Sequence, residues 1–297
     1  MKVLILGATG MLGSQVANIF AQSNFDTTLT ARKTSSIESF VQQGLHLEEL
    51  DVENTDTAQL KSLLKDVDWC INCIGLIKPY IKDEQPEDVA RAVRINALFP
   101  AMLAQAIQGT PTRVIQIATD CVWNGKDGSY KEPDSHNAQD VYGKSKSLGE
   151  IELPNFYNIR CSIIGREIKQ HLSLMDWFLN QPQKAKVKGF TNHLWNGVTT
   201  LQFAKLCYGI VSENAALKNQ QHFVPADTVD KYKLLNIFAN TYARKDISIE
   251  SFSPDVAVDR SIQTEDTQHN AKLWHLAGYS TPQTIEEMIK ELYSHEQ

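Results

Sequence analysis

Apolar, β-branched runs recur through the first half of the chain, at Val3–Gly7, Thr27–Thr30, Leu45–Val52, Val67–Gly75, Val114–Ala118 and Asn158–Ile164. Stretches with helical spacing lie between them, at Leu12–Ala21, Ile37–Gln43, Ala58–Lys65, Pro86–Gln108 and Tyr142–Leu153. Strands alternating with helices predict a parallel sheet covered on both faces. Right-handed crossovers make such a sheet doubly wound, with ligands outside the carboxyl ends of its strands. Thr119 follows the fifth run and is therefore expected on that ligand-facing crest.

Past Ile164 the alternation weakens. His171–Asn180 and Thr199–Val211 read as helices, Lys184–Gly197 as irregular and His222–Pro225 as a short strand. From Asp227 the pattern mixes helices with the polar segment Ser253–Gln268. The expected organisation is a dinucleotide-binding domain over 1–165, to which 199–226 returns. A smaller, mixed substrate-capping region is then built from 166–198 and 227–297, with a cleft between the two.

A length of 297 residues can bury a full core, and 42% hydrophobic with 22% charged residues is ordinary for a globular chain. The net charge of −6 argues against nucleic acid or an anionic membrane as partner. No apolar stretch approaches a membrane span, and Met1–Leu6 is too short for a signal peptide, so the expected location is the cytoplasm. Cys70 and Cys73 form a C-x-x-C, but inside a strand run their sulfurs point to opposite faces. No second pair completes a metal site, and none is expected.

Chemistry enters at Gly7-Ala8-Thr9-Gly10-Met11-Leu12-Gly13, between the first strand and the first helix. Glycines there let backbone approach a pyrophosphate, and the helix start offers free N–H groups. Gly7, Thr9, Gly10, Met11, Leu12 and Gly13 are the expected cradle of a Rossmann-type dinucleotide fold. The second run ends in Arg32-Lys33 where an NAD-preferring fold carries an acid, so NADP(H) is favoured, with NAD(H) as the alternative. Asp51 and Val52 follow the third run and could flank the adenine; Asp51 reads equally well as a turn residue.

Tyr142 and Lys146 are four apart, on one face of a helix. The ammonium is expected to lower the phenol's pKa and fit it for proton transfer near neutral pH. With Thr119 at a strand end, this predicts an enzyme.

Together these motifs resemble the extended short-chain dehydrogenase/reductase superfamily. Within it, Ala118-Thr119-Asp120-Cys121-Val122-Trp123-Asn124-Gly125, Tyr130-Lys131-Glu132 and Tyr142-Gly143-Lys144-Ser145-Lys146-Ser147-Leu148-Gly149-Glu150 are similar to dTDP-4-dehydrorhamnose reductases. The likeness covers about the first 165 residues well and extends to Asn158-Ile159-Arg160-Cys161-Ser162. It implies an NADP(H)-dependent reductase of a nucleotide-linked 4-keto-6-deoxy sugar, serving deoxysugar or surface-polysaccharide synthesis. Tyr142 is then the acid, Lys146 its partner and ribose ligand, and Thr119 a donor to the carbonyl. Cys73, Gly75 and Asn96 join the cofactor set, Asn96 as a support for the lysine. Asp120 and Cys121 join Thr119 toward substrate; the loop Phe190–Thr199 departs from the reductase pattern, and there Asn196 could bond hydroxyls and Trp195 could stack on a base or sugar or equally pack the domain junction. Cys121 stands where dehydratases of the superfamily carry a glutamate, which argues against dehydration. An epimerase and a non-catalytic NADP-binding regulatory subunit are the remaining readings; a homodimer stays open.

Overall fold

A computed structural model describes residues 1–167 and 171–297. In chain order the main elements begin with β1 (Lys2–Leu6), α1 (Met11–Ala21), β2 (Asp26–Ala31), β3 (His46–Glu49), α2 (Thr57–Leu63) and β4 (Trp69–Asn72). Then follow α3 (Pro86–Val93), α4 (Phe99–Ile107), β5 (Arg113–Ala118), α5 (Val141–Leu148), β6 (Phe156–Arg160) and β7 (Ile163–Ile164). The second half holds α6 (Leu174–Leu179), β8 (Lys186–Phe190), β9 (His193–Trp195), β10 (Val198–Thr199), α7 (Thr200–Ser212) and β11 (Gln220–His222). It ends with β12 (Val229–Asp230), α8 (Lys231–Thr241), β13 (Ser248–Phe252), β14 (Val258–Asp259), α9 (Thr267–Leu276) and α10 (Ile285–His295).

The central sheet has seven parallel strands in the order β11-β6-β5-β4-β1-β2-β3. The chain leaves β3 at one edge and re-enters at β4 beside β1, so a crevice opens at the carboxyl ends of β1 and β4. One apolar cluster joins the α1–α7 face to the second region, and the other packs α2 and α4 on the opposite face. Cys70 belongs to the second cluster and Cys73 packs against the first, so the C-x-x-C diverges across the sheet.

Several boundaries differ from the sequence reading. The helix expected over Ile37–Gln43 is a 3₁₀ turn, Glu38–Gln43, halted by Gly44 at φ 83°. The helix expected over Pro86–Gln108 is interrupted by a π turn at Arg94–Leu98. Pro100 has no N–H to offer the carbonyl of Asn96, so the regular ladder cannot run through. The segment read as irregular, Lys184–Gly197, contains β8 and β9; Lys186 and Lys188 are exposed while Val187 and Gly189 are buried, a half-buried strand's alternation. The polar segment Ser253–Gln268 supplies β14, which pairs with β9.

A buried ion pair fastens the end of α5 to β6. Glu150 lies just past α5, and its carboxylate accepts from Arg160 Nη2 at 2.6 Å and from Nε at 2.9 and 3.0 Å. Both side chains are almost wholly buried, at 1% and 3% exposure. The same guanidinium donates to the Glu132 carbonyl and to Gln220 Oε1, each at 3.0 Å. Removing one partner of such a pair strands the other charge without water. Arg160→Met should therefore destabilise the fold by about 3–5 kcal/mol, and adding Glu150→Leu should restore most of that loss. Urea midpoints of the two variants check this; equal stability of Arg160→Met and wild type would refute it.

Candidate active site

The crevice is a cleft of about 500 Å³. Its near end is the turn from β1 into α1. Gly7 holds φ 82°, and a Cβ there would meet Ile74 Cγ1 at 2.7 Å. Gly10 N–H donates to the Gly7 carbonyl at 3.0 Å, closing the turn. The N-cap of α1 is Gly10, with no side-chain cap and no acid in the first turn. Its orphan N–H groups and positive dipole end are thus left for an anion. Gly7, Thr9, Gly10, Met11 and Leu12 line the cleft. Gly13 does not; a Cβ on it would meet the Gly7 carbonyl oxygen at 2.0 Å, so its part is to let helix and strand close up.

Arg32 lines the next stretch and is exposed; Lys33, also exposed, is the residue just before a 3₁₀ turn and is not part of the cleft lining. Asp51 and Val52 line the cleft with Glu53, and Glu53 Oε1 is paired with Arg91 Nε at 3.1 Å. The Asp51 carboxylate accepts from Glu53 N and from Asn54 Nδ2, so it also shapes the turn.

The far wall is built on β4, β5 and α5. Cys73 and Gly75 line it with Leu76, Ile77 and Tyr80. Asn96, in the π turn, lies behind the wall. Its Oδ1 accepts from Leu76 N at 2.8 Å, and its Nδ2 donates to the Leu76 carbonyl and to Ser145 Oγ. Asn96 is thus a positioning residue that ties the Gly75–Leu76 loop to α5, rather than a direct cofactor contact.

Asp140 caps α5 through Gly143 N at 2.7 Å and pairs with Lys78 at 2.7 Å. Thr119, Tyr142 and Lys146 meet on the cleft wall. Lys146 is buried, and its Nζ donates to the Ile117 carbonyl at 2.8 Å. A Cβ on Gly75 would lie 3.9 Å from that Nζ, so the ammonium faces the glycine stretch of the wall. Burial pushes the Lys146 ammonium down to about 8, against the pull of Glu150. Thr119 Oγ1 donates to Asp120 Oδ1 at 3.2 Å and accepts from Cys121 N at 3.2 Å.

The expected lowering of the Tyr142 pKa is overturned. Burial pushes the phenol up, the nearby Cys121, Asp120 and Asp140 add to this, and a hydrogen bond from Thr119 acts in the opposite direction. Lys146 donates to the Ile117 carbonyl. Tyr142 therefore holds its proton, as an acid must before it gives one.

Trp195 and Asn196 are corrected as substrate contacts. Both are buried inside the fold: Trp195 Nε1 donates to Ser162 Oγ at 2.8 Å, and Asn196 clamps Ile262 through its carbonyl and N–H. Ser162 itself lines the cleft, as do Cys161, Ile163 and Glu167, none of which the sequence reading placed there. The signal available was position, since Cys161 and Ser162 directly follow β6 and so stand on the crest. Glu167 accepts from the N–H groups of Leu172 and Ser173, which fixes the chain at the cleft's edge.

A family model described as RmlD substrate binding domain matches residues 1–294. Methionine adenosyltransferase 2 subunit beta of Danio rerio is 25% identical over 251 residues, covering 81% of this chain and 74% of that protein. A dTDP-4-dehydrorhamnose reductase of Aggregatibacter actinomycetemcomitans is 30% identical over 151 residues, or 50% of this chain and 45% of the relative. The chain thus spans under half the length of that reductase. Among solved structures, dTDP-4-dehydrorhamnose reductase of Bacillus anthracis in complex with NADP gives a TM-score of 0.72 at 16% identity, covering 100% of this chain and 99% of that one. UDP-glucuronic acid 4-epimerase of Bacillus cereus, in complex with a fluorinated UDP-sugar and NAD, gives 0.76 at 15% identity, covering 99% and 98%. At such identities the structural likeness establishes the shared fold.

A test of the site follows from Lys146. In the unfolded chain its pKa is 10.5 and in the native protein about 8, so between those values the unfolded state holds more protons. Native stability then rises with pH through that window, and the burial penalty is fully present below it. Lys146→Met should stabilise the cofactor-free protein at pH 7 by on the order of 1–2 kcal/mol once the lost hydrogen bond is counted. The gain should shrink toward pH 10. Thermal midpoints at pH 7 and pH 9.5 decide it, and a gain that grows with pH would contradict the assignment.

Proposed function

The chain belongs to the RmlD substrate binding domain family, and from that premise we propose that it is an NADP(H)-dependent reductase of a nucleotide-activated 4-keto-6-deoxy sugar. The observation that carries this reading is the meeting of Thr119, Tyr142 and Lys146 on one wall of the cleft that the Gly7–Leu12 turn opens. The reductase relatives named above, one of them holding NADP, support the choice of reaction and cofactor.

The residues present fit a dinucleotide. The uncapped start of α1 suits the pyrophosphate, and Arg32 suits a 2′-phosphate with no acid opposing it at the end of β2. When bound, the nicotinamide supplies the hydride. Tyr142, held protonated by its surroundings, donates a proton to the alkoxide that develops on the substrate's carbonyl oxygen. Thr119 turns its single hydroxyl proton from Asp120 Oδ1, which holds it in the free protein, to the same oxygen, while the Cys121 N–H keeps the hydroxyl oxygen in place. Lys146 offers its remaining N–H groups to the ribose hydroxyls of the cofactor and keeps a positive charge beside the wall. The second region, residues 171–198 and 227–297, is the part that would cover the substrate.

A second reading rests on the alignment with a methionine adenosyltransferase subunit over four-fifths of the chain. On that reading the dinucleotide-binding fold serves a partner enzyme and the wall residues are retained without turnover. An epimerase of the same fold would use the same wall while returning its hydride, and would consume no added NADPH.

Two measurements distinguish these. With saturating NADPH and a dTDP-linked 4-keto-6-deoxy sugar, Tyr142→Phe should lower kcat about 10²–10⁴-fold while NADP⁺ binds nearly as before. Equal rates for variant and wild type would remove the mechanism, and a wild type without NADPH oxidation on any such sugar favours the subunit reading. For the cofactor, Arg32→Ala should weaken NADPH binding about tenfold or more and leave NADH binding unchanged. Tighter binding of NADH than NADPH by the wild type would overturn the preference.

A further inference from the structure

One hydroxyl on the cleft wall keeps a proton that the fold does not use. Ser162 stands between β6 and β7, is half-buried and lines the cleft. Its Oγ accepts from Trp195 Nε1 at 2.8 Å. An indole N–H only donates, so the serine oxygen must be the acceptor and its own proton must point elsewhere. Among the described residues that proton has no assigned acceptor. The indole is buried and approaches from inside the fold, whereas the serine lines the cleft, so the open direction is toward the cleft.

The hydroxyl is firmly mounted. The Ser162 carbonyl accepts from Val198 N at 2.8 Å, so the turn Trp195–Val198 of the second region holds the serine by backbone and side chain together. Gly197 permits that approach: a Cβ there would meet the Ser162 carbonyl oxygen at 2.3 Å and Trp195 Cζ2 at 2.4 Å. Trp195 is fixed in turn by the pairing of β9 with β12, where it lies opposite Val229. The position is also telling. β5 and β6 are neighbours whose last paired residues are Ala118 and Arg160, so Thr119 and Ser162 follow one and two residues beyond that pair. Adjacent strands run about 4.8 Å apart, comparable to the width of a pyranose ring. β1, with its dinucleotide turn, lies on the other side of β5. Ser162 therefore stands beside Thr119 on the side away from that turn.

We propose that Ser162 is a specificity-determining residue whose free proton goes to an uncharged oxygen of the sugar ring, beside the carbonyl held by Thr119 and Tyr142, and that Trp195 is the positioning residue that aims it. The inference rests on the nucleotide-sugar reading of the cleft and names one contact within it. A single neutral O–H selects for an acceptor at one ring position, because a sugar without it leaves the serine proton unpaired. Trp195, whose ring is buried and cannot stack on a ligand, acts on the sugar only through the serine.

Equilibrium binding to the full chain saturated with NADP⁺, without turnover, tests this separately from the reductase assignment, which the NADPH oxidation assay decides. The probes are two matched pairs, dTDP-rhamnose against dTDP and UDP-glucose against UDP, so that each ratio isolates the sugar. Ser162→Ala should weaken the preferred nucleotide sugar on the order of tenfold and leave the bare nucleotide and NADP⁺ unchanged. Trp195→Phe should lose about threefold or more of the same preference. The double variant should bind as Ser162→Ala alone, since the indole acts through the hydroxyl. A tryptophan that only packs the second region would add its loss to that of the serine variant. Ser162→Ala removes one oxygen at the cleft surface and decides the donor role by itself if Trp195→Phe does not fold. Additive losses, an unchanged sugar preference in Ser162→Ala, a loss that falls on NADP⁺ instead, or a wild type that binds neither nucleotide sugar more tightly than its bare nucleotide would each overturn the proposal.

Discussion

The seating of α5 against the crest of the sheet is the constraint on which the rest of the molecule depends. A Cβ on Gly143 would strike the Cys121 carbonyl at 2.3 Å, and one on Gly149 the Asn96 carbonyl at 2.0 Å, so backbone meets backbone at both ends of the helix. Glu150 then locks the helix end to β6 through Arg160, and Asp140 locks its start. Only with that seating can Lys146 cross to the Ile117 carbonyl and Tyr142 share a wall with Thr119. The Tyr142–Lys146 spacing in the sequence is a property of one helix; the site is a property of where that helix is held.

The arrangement places several polar groups where burial works against them. Lys146, Asp120 and Lys231 all have protonation shifted by desolvation before any partner is counted. A chain selected for stability alone would have apolar residues in such positions. Two of them, Lys146 and Asp120, line the cleft. Tyr142 shows the same economy: its proton is secured by its surroundings and needs no help from the lysine.

The first half of the fold was legible because most of its strands are buried apolar runs separated by helical stretches, with the exposed four-residue β3 the exception. Crest residues follow directly from strand ends, and so Gly7, Thr119 and Tyr142 could be placed from spacing alone. The second region resisted for a physical reason. Its strands are short, and they pair across large distances in the chain, as when β8 aligns Lys186 with Ser248 or β9 aligns His193 with Val258. Nothing in a local window carries that register. Trp195 and Asn196 were misread for the same cause, because a Trp and an Asn in a polar stretch resemble a binding loop until the chain that covers them is known. The sign of the Tyr142 shift was missed because spacing fixes which face a lysine shares and says nothing of how deeply the phenol is buried.

The link from Trp195 to Ser162 gives the molecule an optical property. An indole N–H bonded to a hydroxyl that lines the cleft, on a ring that also lies near the Lys231 ammonium, couples its excited state to whatever occupies that corner. Of the chain's five tryptophans, Trp195 is thus the one whose indole N–H is bonded to a residue of the cleft wall.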